Sequence, residues 1–207
     1  MARRPSSTLS RLKIAQTALD LADEAGLEAV SFRAVAQRLG VAPMSLYHYV
    51  EDKQDLLGAV LEVAFAGVEL PDPDAGTWME NLEASLTGAR NVMRAHPAVF
   101  LLMYSQAFSS PALMALREAV MASILRSGLP SEEAAILYRT VGAYAAGFYF
   151  VEQFTPFGQA DLPSDVADDY PATRALTLQL ANSETEERFR IGLNRIVQAF
   201  SGQVRDR

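Results

Sequence analysis

The side chains best suited to bind a charged polymer lie close together, around the short stretch GVAPMSLYHYV at residues 40–50. Serine and tyrosine hydroxyls can hydrogen-bond phosphate oxygens, and a lysine at a helix start can neutralise a phosphate. Arginine can donate to O6 and N7 of guanine, while proline or methionine can touch a thymine methyl group. These residue types give the following candidate DNA contacts: Arg33, Pro43, Met44, Ser45, Tyr47, His48 and Lys53.

A two-helix unit is needed to hold this stretch, because an isolated helix of about seven residues is not stable in water. Small Ala36 suits a close crossing of helices, and Gly40 suits a tight turn with positive φ. The second helix, about 10 Å long, would fit a major groove about 12 Å wide. An ordinary helical corner with surface aromatics is the open alternative. The wedge between the two helices would consist of Val35, Leu39, Val41 and Leu46.

The composition indicates a folded intracellular protein. Half of the 207 residues are apolar, so the chain can bury a core. The sequence has no cysteine, which excludes disulfides and thiolate metal sites and suits a reducing cytoplasm. Charged residues interrupt the first apolar run, and no uncharged apolar run reaches about 18 residues. We therefore expect neither an export signal nor a membrane span.

Charge is distributed unevenly along the chain. The net charge is −7, which argues against a general nucleic-acid coat protein. Residues 1–53 carry seven basic and six acidic side chains, whereas residues 54–207 carry eleven and nineteen. The segment with the candidate contacts is therefore compatible with DNA binding.

Apolar residues recur at helical spacing along the whole chain, without the alternation typical of strands, so we predict an all-α fold. Caps, glycines and prolines place helices at about residues 8–25, 31–39, 43–49, 53–66, 77–95, 111–127, 131–154 and 183–203, with an exposed loop at 155–171. The expected apolar stripes are Leu12, Ala15, Leu19 and Ala22 in the first helix, and Leu56, Val60, Val63 and Gly67 in the fourth.

The segment SFRAVAQRLGVAPMSLYHYVEDKQDLL (residues 31–57) resembles the tetracycline-repressor (TetR) family of bacterial transcription regulators. Its ending LYHYV-x-x-K-x-x-LL is the most specific part. Thr77-Trp78, His96-Pro97 and residues 128–154 resemble the regulatory domain of the tetracycline-repressor branch. The resemblance implies a homodimer that reads a palindromic operator, and a ligand cavity that controls DNA affinity. By position it adds Tyr49 to the DNA contacts, and Ser31 at the start of the matched segment is a further candidate.

Two departures from the family pattern change what is expected. Pro43 stands where a glutamine often reads a base, so we expect a different half-site. The His, Asn and Phe that grip magnesium-tetracycline appear here as Ser85, Ala89 and Met103, so we do not expect a metal-chelated drug as the effector.

The C-terminal half predicts a dimer interface and a pocket. The long helix at 131–154 is apolar nearly all round, and the last helix has one apolar stripe, so we predict that both pair with their copies in a four-helix interface. The alternative is that they form an intramolecular core only. As a set, the methionine and aromatic side chains suggest a small apolar or aromatic effector, although for any one of them an ordinary core position is the commoner case. The candidate pocket residues are Leu86, Ala89, Met93, Phe100, Met103, Tyr104, Met114, Tyr144 and Phe148.

The predicted architecture is therefore an N-terminal three-helix helix-turn-helix DNA-binding domain at residues 1–53, a linking helix at 53–66, and a larger helical effector-binding and dimerisation domain at 67–207. We expect no enzyme, because His48 lies on the predicted DNA face and His96 precedes a proline at a helix break. No phosphate-cradling glycine loop or metal-ligand spacing occurs in the sequence, so no cofactor and no metal are expected. The remaining alternative is a helix-turn-helix module that binds protein instead of double-stranded DNA.

Overall fold

The computed structural model describes residues 9–105, 110–154, 170–181 and 185–201, and within these ranges the regular structure is helical, without a β-strand, which confirms the all-α prediction. A 3-10 turn at Leu27–Ala29 and a 3-10 helix at Pro43–His48 interrupt the α-helices. The α-helices are α1 Arg11–Ala25, α2 Phe32–Leu39, α3 Lys53–Phe65, α4 Trp78–Ala95, α5 Val99–Ser105, α6 Pro111–Leu125, α7 Ser131–Phe154, α8 Pro171–Ala181 and α9 Thr185–Ser201. Within the same ranges, no helix has both the length and the apolar character to cross a membrane.

The first compact unit comprises residues 1–70 together with residues 91–118. Its centre is the packing of α1 on α3, with α2 against α1 and α5 against α3. Ile14 and Leu56 are fully buried at this centre. This unit contains the whole predicted helix-turn-helix domain.

The second compact unit comprises residues 71–90 and 119–207, so the two units divide within α4 and within α6. Here α7 packs along α9. Leu137 and Val141 of α7 are fully buried, and Phe189 and Leu193 of α9 are almost completely buried against them. The predicted domain division at residue 67 stays a prediction.

The helix starts follow the capping chemistry that the sequence predicted. The hydroxyl of Ser31 accepts from the backbone N–H of Ala34 at 3.2 Å. Asp52 accepts from the N–H of Asp55 at 2.8 Å. Thr77 and Glu80 form a reciprocal capping box, since the Thr77 N–H donates to the Glu80 carboxylate and the Glu80 N–H donates to the Thr77 hydroxyl.

Several details differ from the sequence prediction. The stretch at residues 43–49 is a 3-10 helix rather than an α-helix. Leu12 is 68% exposed and not part of the core, because Ile14 and Ala18 complete the buried stripe of α1. Gly67 lies beyond the end of α3 and is exposed.

Helix α8 was not predicted, and the expected loop reached residue 171, where this helix begins. Residues 155–169 of that loop, and the predicted start of the last helix at residue 183, lie outside the described residues.

Candidate nucleic-acid interface and effector pocket

Buried apolar contacts fix the 3-10 helix against α2. Val35, Ala36 and Leu46 have no exposed surface. Gly40 ends α2 in the left-handed region at φ 69°, and the N–H of Val41 donates back to the Ala36 carbonyl at 3.0 Å. The predicted wedge is thus present, with Leu39 and Val41 half-buried at its edge. This packing determines which side of the 3-10 helix faces solvent.

The ring of Tyr47 is held by a neighbour that the sequence reading did not assign. Phe32, the first residue of α2, stacks on Tyr47 with ring centroids 4.5 Å apart and planes 16° from parallel. Tyr47 remains 50% exposed, although one face of its ring is covered by Phe32. The sequence signal for this stack was the pair of aromatic residues itself, one at the first position of α2 and one in the following 3-10 helix.

Most of the other candidates in residues 43–49 are exposed as well. Met44 is 72% exposed and Tyr49 is 37% exposed. Pro43 and His48 are exposed as well, whereas Ser45 is half-buried. The structure therefore brings these candidates onto the solvent side of one short helix, opposite the buried Leu46.

The other candidates come from the two flanking helix starts. Arg33 is exposed in the first turn of α2, and Lys53 is exposed as the first residue of α3. Ser31 uses its hydroxyl oxygen as the α2 cap, but its hydroxyl proton can still be donated to a phosphate. Each of these side chains sits at a helix N-terminus, where backbone N–H groups also favour an anion.

An ion pair between α1 and α3 also contacts the backbone at the end of the candidate DNA-binding segment. Arg11 makes a two-pronged contact with the Asp55 carboxylate at 2.5 and 2.9 Å, and it donates to the Tyr49 carbonyl at 2.9 Å. The hydrogen bonds from Arg11, above all, hold the pKa of Asp55 below its ordinary value, and the Glu51 N–H helps. These contacts hold the backbone at Tyr49, directly after the 3-10 helix. They were not predicted from the sequence.

One more ion pair and one histidine–carboxylate contact lie in the first unit. Arg38 pairs with Glu24 through both nitrogens of its guanidinium end, which lowers the pKa of Glu24. The Nδ1 atom of His96 lies 2.7 Å from the Asp23 carboxylate. His96 therefore makes a local contact between the end of α4 and α1.

The candidate pocket residues fall into both units. In the second unit Leu86 and Ala89 are buried, and Tyr144 and Phe148 are half-buried with ring centroids 5.7 Å apart. In the first unit Met93 is buried, Phe100 and Met103 are half-buried, and Tyr104 and Met114 are exposed in the single chain. The structure thus leaves the pocket assignment as a prediction.

A buried ion pair that the sequence did not reveal lies beside two of these residues. Arg90 of α4 is completely buried and contacts both carboxylate oxygens of Glu152, at 2.8 and 3.1 Å. The rings of Phe148 and Phe189 lie 5.7 and 5.3 Å from its guanidinium carbon.

A separate apolar cavity of ≈ 220 Å³ lies between α6 and α7. Met121, Ile124, Ala134 and Tyr138 are among its lining residues. None of the predicted pocket residues lines this cavity.

Comparison with known proteins gives matches along most of the chain. Residues 14–60 match the family described as bacterial regulatory proteins, tetR family, and residues 70–201 match the tetracyclin repressor-like C-terminal domain. The HTH-type transcriptional repressor DrrR1 of Streptomyces coeruleorubidus is 33% identical over 146 residues, which cover 70% of this chain and 54% of DrrR1. This chain therefore spans about half the length of that relative.

Two further similarities extend over nearly the full chain. The tetracycline repressor protein class E of Escherichia coli is 25% identical over 198 residues, covering 95% of this chain and 92% of that repressor. The structure of the Streptomyces coelicolor TetR family protein ActR in complex with (S)-DNPA matches with a TM-score of 0.75 and 25% identity. That match covers 94% of this chain and 98% of ActR.

Proposed function

This chain belongs to the TetR family of bacterial transcriptional regulators, and from that premise we propose that it represses transcription at a palindromic operator until a small ligand releases it. Because the family consists of transcriptional regulators, the chain is a regulator and not an enzyme. The relative DrrR1 is a transcriptional repressor, which supports repression as the direction of control in this chain.

One observation carries the DNA-binding part of the proposal. The fully buried Leu46 anchors the 3-10 helix, while Met44 and Tyr47 on its other side are 72% and 50% exposed. Six residues of 3-10 helix rise about 12 Å, at about 2.0 Å each, which suits a major groove about 12 Å wide. Arg33 would read a guanine, and Tyr47, Ser45, Ser31 and Lys53 would hold phosphates.

The proposed active form is a homodimer, because a palindrome is read by two copies related by a two-fold axis. Its interface would use the faces of α7 and α9 that the single chain leaves exposed. Phe150, Val151 and Ile191 are 50%, 47% and 40% exposed on these helices. The exposed Gly147 and Ala143 would allow a second helix to approach closely.

Ligand release would act through a shift in population. A ligand that binds one spacing of the two DNA-reading units more tightly than the other favours that spacing. The apolar and aromatic side chains of α4, α5 and α7 support a small, largely apolar or aromatic ligand. ActR is known in complex with (S)-DNPA and with actinorhodin, and this binding of small molecules by a relative supports ligand control in this chain.

A gel-shift titration tests the proposal directly. The full chain is mixed with DNA from upstream of its own coding region at several salt concentrations, with a scrambled duplex of equal length as the control. Specific binding that weakens steeply with salt is expected, because phosphate contacts release counterions. Equal affinity for both duplexes would contradict an operator-binding role and favour a module that binds protein.

A further inference from the structure

The guanidinium of Arg90 is fully buried, but only two of its three nitrogen atoms have a hydrogen-bond partner among the described residues. Its side chain has no exposed surface, and Glu152 occupies its Nε and Nη2 atoms at 3.1 and 2.8 Å. The third nitrogen, Nη1, is buried and has no acceptor among the described residues. Buried donors in native proteins almost always have a partner, so this N–H group indicates an acceptor that the described residues do not provide.

Aromatic rings surround the same guanidinium. Phe148 and Phe189 lie within cation–π distance of it, and their rings meet edge-to-face with centroids 5.3 Å apart. Tyr144 stacks on Phe189 at 5.6 Å and donates its hydroxyl proton to the Phe189 carbonyl at 3.0 Å. These contacts form a packed aromatic cluster, in which Phe189 is buried and Tyr144 and Phe148 are half-buried.

Charge balance decides which acceptor fits. The Glu152 carboxylate already neutralises the guanidinium, so a second carboxylate would bring an uncompensated negative charge into a buried aromatic site. A carbonyl oxygen adds no charge and can accept one or two N–H bonds. The environment therefore favours a neutral acceptor over an anion.

We infer that Arg90 Nη1 is a ligand-recognition donor, and that the effector is an aromatic molecule with a neutral carbonyl oxygen that accepts from it. The ring of the ligand lies against Tyr144 and Phe148, the two half-buried rings of this cluster, and Glu152 keeps the donor charged and oriented. This inference rests on the proposed ligand-controlled function and names the chemical class of the effector.

Three small probes of similar size test the inference: acetophenone, ethylbenzene and benzoate. Their binding to the full chain is titrated by NMR, with the Arg90 guanidinium signals observed directly. We expect acetophenone to bind about tenfold or more tightly than ethylbenzene, because hydrogen bonds to charged groups are among the stronger ones. We also expect it to shift the Arg90 signals and to bind more tightly than benzoate.

A double variant separates recognition from folding. Arg90→Leu alone would leave Glu152 buried without a partner, so Arg90→Leu is combined with Glu152→Leu, and the fold is checked by circular dichroism. This variant should bind acetophenone and ethylbenzene with equal affinity. Arg139→Leu, at an exposed position of α7, is the matched control and should keep the preference for acetophenone.

Three outcomes would overturn the inference. Equal affinity of the native chain for acetophenone and ethylbenzene, or binding of none of the probes, would mean that Arg90 does not recognise a ligand oxygen. Tighter binding of benzoate would mean that the site takes an anion. A gel shift on the same protein separates these results from failure of the proposed function, because loss of operator binding refutes regulation without changing the probe preference.

Discussion

At the scale of single residues, Arg33 and Tyr47 are expected to perform different tasks in DNA recognition. Arg33 is exposed in the first turn of α2, whereas Tyr47 is held by its stack on Phe32. A guanidinium that can move to a guanine edge provides sequence information. A tyrosine hydroxyl that is held in place can bond a phosphate and so fix the position of the protein on the duplex.

Replacing Arg33 by alanine should cost about 1–3 kcal/mol of operator-binding free energy and relax the preference at one base pair. The measurement is fluorescence anisotropy against a set of operators, each with one substituted base pair. Tyr47→Phe is the control, since it keeps the stack on Phe32 and removes only the hydroxyl. Tyr47→Phe should weaken binding to all operators by the same factor. The same uniform loss for Arg33→Ala would show that Arg33 contacts only phosphate and does not read a base.

The Arg11–Asp55 pair predicts how stability responds to acid. The folded-state pKa of Asp55 lies below its ordinary value of 3.8, so the pair stabilises the fold above that value and loses its contribution as the pH falls through the folded-state pKa. Asp55→Asn should therefore cost about 1 kcal/mol at neutral pH, because the pair is partly exposed. The difference from the native chain should shrink below about pH 4.

Urea unfolding at pH 7, 5 and 3 measures this difference. Glu28→Gln, which removes an exposed carboxylate from the 3-10 turn after α1, is the control and should change stability little at any pH. A deficit for Asp55→Asn that stays constant down to pH 3 would contradict the assigned role of the ion pair.

Sequence predicts residue roles within one element better than contacts between elements. The wedge residues Val35 and Leu46 could be predicted, because the two short helices that carry them are joined by a single tight turn. Arg11 and Asp55 are 44 positions apart, and Arg90 and Glu152 are 62 apart. Nothing in local periodicity distinguishes such pairs from the many other charged residues, so only the folded chain reveals them.

At the scale of elements, α7 approaches α9 closely at Gly192. A Cβ atom there would lie 2.1 Å from the Tyr144 hydroxyl oxygen and 2.8 Å from the ring carbon that carries it. The absence of a side chain therefore lets the tyrosine reach the Phe189 carbonyl. This is a packing requirement, since the backbone at Gly192 is ordinary helix.

Gly192→Ala should lower the free energy of unfolding by about 1–2 kcal/mol, because overpacking outweighs the gain in helix propensity. Gly142→Ala is the matched control on α7, where nothing lies within 4 Å of the added atom, and it should stabilise the chain by up to about 1 kcal/mol. Combining Gly192→Ala with Tyr144→Phe should recover part of the loss. Equal stability of the two glycine variants in thermal melts would refute the close contact.

Element bounds were predictable where caps and glycines mark them. Ser31, Asp52 and the Thr77–Glu80 box start helices as expected, and Gly26 and Gly40 end them with positive φ. The 3-10 geometry at residues 43–48 was not predictable, because its spacing over two turns resembles that of an α-helix. Helix α8 had a readable signal in Pro171 at its first position, which the sequence reading assigned to a loop.

At the scale of the whole molecule, the proposed dimer follows from apolar surface that the single chain leaves exposed on α7 and α9. Phe150→Arg should shift the chain from dimer to monomer in sedimentation equilibrium at micromolar concentration, because it places a charge in the proposed interface. Leu125→Arg is the control, since Leu125 is 65% exposed on α6, outside that interface. If both variants sediment like the native chain, the proposed interface is wrong.

The regulatory class was predictable from the sequence because residues 31–57 carry a compact pattern in which nearly every position has a packing or turn requirement. The effector was not predictable to the same degree, because methionine and aromatic residues fill cores and pockets alike. The departures at Ser85, Ala89 and Met103 predict only that the effector is not a metal-chelated drug.

A hydroxyl-radical footprint of the full chain on DNA from upstream of its own coding region tests the central claim most directly. The account predicts two protected half-sites with two-fold related sequences, facing the same side of the duplex, because two 3-10 helices enter successive major grooves about 34 Å apart. Protection should disappear when Arg33→Ala is combined with Tyr47→Phe in the same chain. Protection that is absent from the native protein, or that persists unchanged in this double variant, would contradict the claim that residues 31–53 read operator DNA.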